Sequence, residues 1–251
     1  MFDRKTKIQG PTLLDRIVKA GARRVAILGL HPHAGARMVL QSLVEDIHKK
    51  GDALAVTSAP RLPLEQEEGA DRQPVTRVQL PEGTWIATSA PQATEGAATL
   101  EPVEPTEHTT VLGQVAIQRV TKAGEVHLHG PGEAPSMEAV LARLSELSRG
   151  MVLVDGGWER RAFASPGVTD GAVLVLGAGY SATPERSAAA ARYLVETLSA
   201  PPCDESARHA WGETASKGAT VLLDARGRQT GLMPPGLPDP TPALRTQAVR
   251  G

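Results

Sequence analysis

Residues 24–57 constrain the fold of this chain more than any other stretch. After Arg24 the run Val25-Ala26-Ile27-Leu28-Gly29-Leu30 is apolar throughout, as expected of a parallel strand buried on both faces. The turn His31-Pro32-His33-Ala34-Gly35 leads into a helical pattern with Val39, Leu40, Leu43, Val44 and Ile47 on one face. Lys49 and Lys50 suit the negative end of that helix, and Gly51 suits a left-handed cap. A second strand, Ala53 to Thr57, follows at once. Strand, helix and strand in such quick succession form a βαβ unit, whose crossover is right-handed almost without exception.

The same rhythm returns in the second half. Met137, Val140, Leu141, Leu144 and Leu147 mark a helix with Ser136 as its cap, and Met151-Val152-Leu153-Val154-Asp155 is a buried strand ending on a carboxylate. Ala172 to Leu176 is another strand. It is followed by a helix with Thr183 as N-cap and Pro184 at its first position. Thr220 to Leu223 closes the expected domain, residues 24–224. Residues 1–23 form an N-terminal segment, and the proline-rich residues 225–251 read as a flexible tail.

The middle departs from this pattern. Residues 59–76 read as a surface loop rich in Pro, Glu and Arg, and Thr84 to Thr88 as a short strand. Pro91 to Thr110 shows no period that favours helix or strand. Val115 to Thr121 and Val126 to His129, parted by Lys122-Ala123-Gly124-Glu125, read as a β-hairpin, giving a β insertion at about 80–130. The expected architecture is α/β, a mostly parallel, doubly wound sheet with an inserted β-hairpin region.

Composition narrows the function classes. Hydrophobic residues make up 41% of the chain but aromatics only 3%, so the core rests on Ala, Val, Leu and Ile. Twenty-seven basic residues against 28 acidic ones give a formal charge of −1, not the basic excess of a nucleic-acid binder. The single cysteine, Cys203, excludes an intrachain disulfide framework and a thiolate-only zinc site. Met1-Phe2-Asp3-Arg4-Lys5 lacks the apolar stretch of a secretory signal, and no apolar run approaches the roughly 20 residues of a membrane span. A cytoplasmic protein with neither nucleic acid nor membrane as partner is expected.

Ligands of open parallel sheets sit beyond the carboxyl ends of the strands, which directs attention to the first βα turn. A phosphate-binding loop needs glycines that let amides converge, a lysine for phosphate charge and a Ser or Thr for magnesium. Here His33, Ala34, Gly35, Ala36, Arg37 and Met38 occupy that place. Gly35 stands where the last glycine belongs, but Ala36 replaces the lysine and Arg37 replaces the hydroxyl residue. The helix amides and Arg37 still suit ATP or another phosphate ligand, while the magnesium ligand is lost and hydrolysis is expected to be crippled. Asp155 fits the second, metal-facing half of such a site, and the expected sheet is of P-loop NTPase type.

These features resemble the P-loop subunit of lysine 5,6-aminomutase reactivase, an accessory protein of an adenosylcobalamin- and pyridoxal-phosphate-dependent mutase. The resemblance runs from about Arg24 to about Ala200. It is most specific from Asp155-Gly156-Gly157-Trp158 through Arg160-Arg161-Ala162-Phe163-Ala164-Ser165-Pro166 to Val168-Thr169-Asp170. Pro81-Glu82-Gly83-Thr84-Trp85-Ile86-Ala87-Thr88 and Leu112-Gly113-Gln114-Val115 carry it further. It implies a partner protein, either the cobalamin-dependent aminomutase or a second reactivase subunit; a second copy of this chain is a further candidate. The family's Lys-Asn-x-Gly-Lys-Thr-Thr loop has become Pro32 to Met38, and the acid it carries after Thr57-Ser58 is absent. Fold without ATP turnover is the expectation. A rival reading is an NTP-dependent transferase or ligase with a rearranged site using Arg37, His31 and His33; a third is an anion- or metal-binding module at the same turn.

Other groups carry less. Gly177-Ala178-Gly179-Tyr180-Ser181-Ala182 matches a dinucleotide fingerprint, but the acid that should follow about 20 residues later is missing. His31 with His33, and His127 with His129, are candidate metal ligands without a third partner in the sequence. Arg160 and Arg161 suit an anion or partner contact and equally a plain surface pair. Ser165 lacks the glycines of a nucleophile elbow, and Cys203 reads as an inert thiol.

Overall fold

The computed structural model describes residues 10–60, 76–158, 160–199, 205, 220–223 and 229–233. Two compact units divide the chain, Met1–Leu198 and Ser199–Gly251, where the sequence reading closes the domain at 224. The first holds helices α1 (Leu13–Lys19), α2 (Ala36–Lys50), α3 (Ala134–Ser148) and α4 (Pro184–Leu198). Its strands are β1 (Arg24–Gly29), β2 (Leu54–Ser58), β3 (Thr76–Leu80), β4 (Trp85–Ser89), β5 (Thr99–Thr110), β6 (Gly113–Lys122), β7 (Gly124–Leu128), β8 (Met151–Gly157) and β9 (Gly171–Val175). In the second unit β10 (Thr220–Leu223) pairs antiparallel with β11 (Gln229–Met233). Gln229–Met233 is thus a strand within what the sequence reads as a flexible tail; Cys203 and residues 234–251 lie outside the described residues.

Seven strands form one sheet in the order β5-β6-β4-β2-β8-β1-β9. The five from β4 to β9 run parallel, and β6 and β5 extend the edge in antiparallel fashion. Helices cover both faces. Leu40, Leu43, Val44 and Ile47 of α2 and Leu14 and Ile17 of α1 pack with Val25, Ile27, Val56 and Leu153. Met137, Val140, Leu141 and Leu144 of α3 pack on the opposite face with Ala55, Ala87, Val152 and Val154. Strand alternation makes this division, since successive side chains point to opposite faces. The β3/β7 ribbon lies on the α2 face, with Val78, Leu80, Val126 and Leu128 in the α2 core, and Gln41 of α2 hydrogen-bonds both N–H and C=O of Gln79.

Several local expectations meet a different outcome. The segment read as a hairpin is two strands that never pair. β6 belongs to the main sheet, whereas β7 pairs with β3 in the separate ribbon. The chain changes layer at Gly124, where a Cβ would lie 2.7 Å from the amide nitrogen of Ala98. The hairpin partner of β6 is β5, a twelve-residue strand inside a stretch that shows no strand period. Pro102 and Pro105 are tolerated because β5 is an edge strand with register breaks at both. Ser136 is not the cap of α3: Glu133 holds that position and Ser136 lies within the first turn. Residues 61–75 of the surface loop are outside the described residues, but Thr76, placed at its end, begins β3. In the N-terminal segment, Thr12 and Asp15 form a capping box that starts α1.

Candidate functional site

The first turn is built by a strand that stops and a helix that starts with unbonded amides. Leu30 continues beside β9, donating from its amide to Val175 O at 2.9 Å. The chain then folds back, Ala34 donating to His31 O at 3.2 Å, and a Cβ on Gly29 would lie 3.1 Å from that same carbonyl. His33 and Gly35 both take the left-handed conformation, with φ of 63° and 90°. Gly35 is the N-cap of α2, its carbonyl receiving Met38 and Val39. Ala36 and Arg37 are therefore the first two helical residues, whose amides have no acceptor within the helix. A Cβ on Gly35 would meet nothing within 4 Å, so there is open space beside Gly35 itself. Arg37 is exposed and pairs with no described residue, and Met38 is 78% exposed. No side chain carries a hydroxyl or ammonium where a P-loop would have one.

Asp155 sits on the neighbouring strand, in register with Ile27 of β1 and Ser58 of β2. Those pairings put its side chain on the α2 face, the side from which the turn opens. It is 3% exposed. Thr76 Oγ1 donates to Oδ2 at 2.7 Å and the Gly157 amide to Oδ1 at 3.1 Å. Directly beyond it the strand bulges, since Leu28 pairs with Gly157 and Gly156 is skipped. Ser58, on the other flank, is fully buried with its Oγ unbonded among the described residues. Thr76 and Ser58 thus join Asp155 at the carboxyl edge. Sequence reasoning missed both: Thr76 closed an apparent loop, and Ser58 carried no spacing signal.

The remaining candidates separate. His33 is exposed, whereas the His31 ring packs on Tyr180 with centroids 5.8 Å apart, its Nε2 buried without a hydrogen-bond partner. His127 is buried with Nε2 3.2 Å from Glu125 Oε1, and the His129 amide donates to Thr88 Oγ1 at 2.9 Å. No group of three or more His, Cys, Asp or Glu positioned for a metal occurs among the described residues. Arg160 lies near Gly132, whose Cβ would be 3.8 Å from Nη2, while Arg161 opens a short 3₁₀ turn, Arg161–Ala164, and is exposed.

Two motifs acquire structural reasons. Gly177 is small because the turn after β9 lies directly on the first turn; a Cβ there would be 2.9 Å from His31 Nε2 and 3.1 Å from Ala34 Cα. The stretch running from Asp155 to Asp170 ends in anchors. Phe163 is buried, Thr169 Oγ1 donates to Phe163 O at 2.8 Å, and Asp170 accepts from the amides of Arg23 and Arg24 and from the Arg24 guanidinium. Burial pushes the Asp170 carboxyl up, but the Arg24 side chain and these amides outweigh it and hold it below the usual range.

Among the described residues no helix is long and apolar enough to cross a membrane. In comparisons with known proteins, no family model, no curated protein and no solved structure matches the chain.

Proposed function

We propose that this chain is an accessory protein of P-loop type that holds a phosphate-bearing ligand without cleaving it and acts on a partner enzyme. The observation that carries the reading is the left-handed Gly35 cap. It starts the helix with the amides of Ala36 and Arg37 unbonded within it, on the same sheet face as the buried Asp155. Helix amides and the guanidinium of Arg37 attract an anion. Phosphoryl transfer needs far more positioning than that. Ala36 supplies no ammonium and Arg37 no hydroxyl for magnesium, and both Asp155 oxygens already accept hydrogen bonds. The residues resembling the reactivase subunit favour a cobalamin-dependent aminomutase, or a second reactivase subunit, as the partner.

Calorimetry of the full chain with pyrophosphate and ATP, with and without magnesium, tests the site, together with an assay for released phosphate. The expected result is magnesium-independent binding that Arg37→Ala weakens about tenfold, with no turnover. ATP hydrolysis abolished by Asp155→Ala would refute the proposal and favour a rearranged NTP-dependent enzyme. Reactivation of an inactivated aminomutase on addition of this protein is the corresponding test of the partner; no effect on the mutase would remove that part of the reading.

A further inference from the structure

Tyr180 is a large aromatic side chain that the phosphate turn alone does not explain. It is 39% exposed, in a chain with only two tyrosines, and its backbone is held in a tight turn by donation from Tyr180 N to Gly177 O at 3.1 Å. Its ring is braced at 47° against His31, the first residue of the phosphate turn. Beyond it lies a pocket of about 330 Å³ lined by Tyr180, Ser181, Ala182 and Arg186. That volume is at the small end of the range for small-molecule sites, roughly 300–1,000 Å³, and a bare phosphate would leave most of it empty. Arg186 is exposed in the first turn of α4 and pairs with no described residue. Among the described residues the lining contains no carboxylate.

We infer that this pocket is the base-binding half of the same site, taking the purine ring of a nucleotide whose phosphates lie at the Gly35 turn. The inference rests on the phosphate-binding reading above and adds the class of ligand. A purine presents a flat face for the exposed Tyr180 ring and an edge of acceptors for the guanidinium of Arg186. Arginine is donor-only, so it matches guanine, which offers N7 and O6 together, better than adenine, which offers N7 beside an amino group. The pocket and the phosphate turn are mechanically one piece, because Gly177 lets the two loops touch. This contact, rather than a dinucleotide, accounts for Gly177.

The test is calorimetry of the full chain, without magnesium, using pyrophosphate, GDP, ADP and CDP. GDP should bind about tenfold tighter than pyrophosphate, the gain that one stacked base supplies in other sites. ADP should bind about fivefold weaker than GDP, and CDP weaker still. Tyr180→Ala should bring GDP to the level of pyrophosphate while pyrophosphate itself is unchanged, Tyr180→Phe should keep the gain, and Arg186→Ala should make GDP and ADP equal. Nucleotides binding no tighter than pyrophosphate would overturn the base pocket yet leave the phosphate reading standing. Equal weakening of GDP and pyrophosphate by Tyr180→Ala would also overturn it, since the tyrosine would then only support the turn. If pyrophosphate and every nucleotide fail to bind, both readings fall.

Discussion

Replacing Thr76 by valine isolates one of the contacts that tie the β3/β7 ribbon to the carboxyl edge of the main sheet. Both residues are buried, Thr76 completely and Asp155 to 3% exposure, and the 2.7 Å hydroxyl bond is one of two to the Asp155 carboxyl among the described residues. Valine keeps the shape and β-branching of threonine and removes only the donor. A hydrogen bond to a charged group is worth about 1.5–3 kcal/mol, and a buried acceptor left short of a donor sits at the upper end of that range. Thr76→Val should therefore cost about 2–3 kcal/mol in urea unfolding of the full chain, with the m-value unchanged. Asp155→Asn supplies the control. With a neutral amide in place of the carboxyl, the second substitution should cost only about 1 kcal/mol, leaving a coupling of about 1–2 kcal/mol between the two sites. A Thr76→Val cost within about 0.5 kcal/mol of zero, the range of ordinary surface changes, or strict additivity with Asp155→Asn, would refute the reasoning.

Two further predictions follow from contacts elsewhere. Lys50 Nζ lies 2.8 Å from Asp15 Oδ1, and that bond, followed by those from Thr12, lowers the Asp15 pKa from 3.8 to about 2. A depressed carboxyl stabilises the fold above its unfolded pKa and loses that contribution as the pH falls through the folded value. The stability difference between wild type and Lys50→Met should accordingly be full above pH 4 and gone near pH 2; a pH-independent difference in thermal unfolding would count against the pairing. Gly150→Ala would drive a methyl into the carbonyl of Ala53, which accepts the Met151 amide at 3.1 Å, and so should cost about 2–3 kcal/mol in the same denaturation assay. Near-neutral behaviour there would mean that β8 can shift to make room.

Some features were legible because their cause is local. Lys49, Lys50 and Gly51 announce the end of α2, and Gly51 indeed takes φ 74° with its amide donating to His48 O. Thr183 and Pro184 announce α4, and Thr183 Oγ1 accepts from the Arg186 amide at 3.4 Å. The Gly35 turn and the Asp155 strand end were both visible as candidate parts of one site. The base pocket was half visible: the glycine-rich turn stood out, but its reason did not, because nothing in residues 177–182 says that His31 lies beneath them. Thr76 carried no signal and Ser58 served only as a landmark of the resemblance, since a hydroxyl becomes informative only when its neighbours are known.

Apolar period and capping residues are properties of a few consecutive residues, so the sequence by itself determined that β1, β2 and β8 are buried strands, that α2 and α3 are amphipathic helices, that a helix begins at Pro184, and that the sheet is mostly parallel. It could not determine which strand lies against which. The two apolar runs around Lys122-Ala123-Gly124-Glu125 satisfy the hairpin pattern equally whether they pair with each other or with distant strands. Only tertiary structure decided between these, because burying β7 against the α2 face satisfies its apolar residues and its backbone through β3, while β6 gains β4 and β5. β5 shows the converse: its backbone bonds to β6 hold a proline-bearing edge strand whose residues, read alone, favour no regular structure.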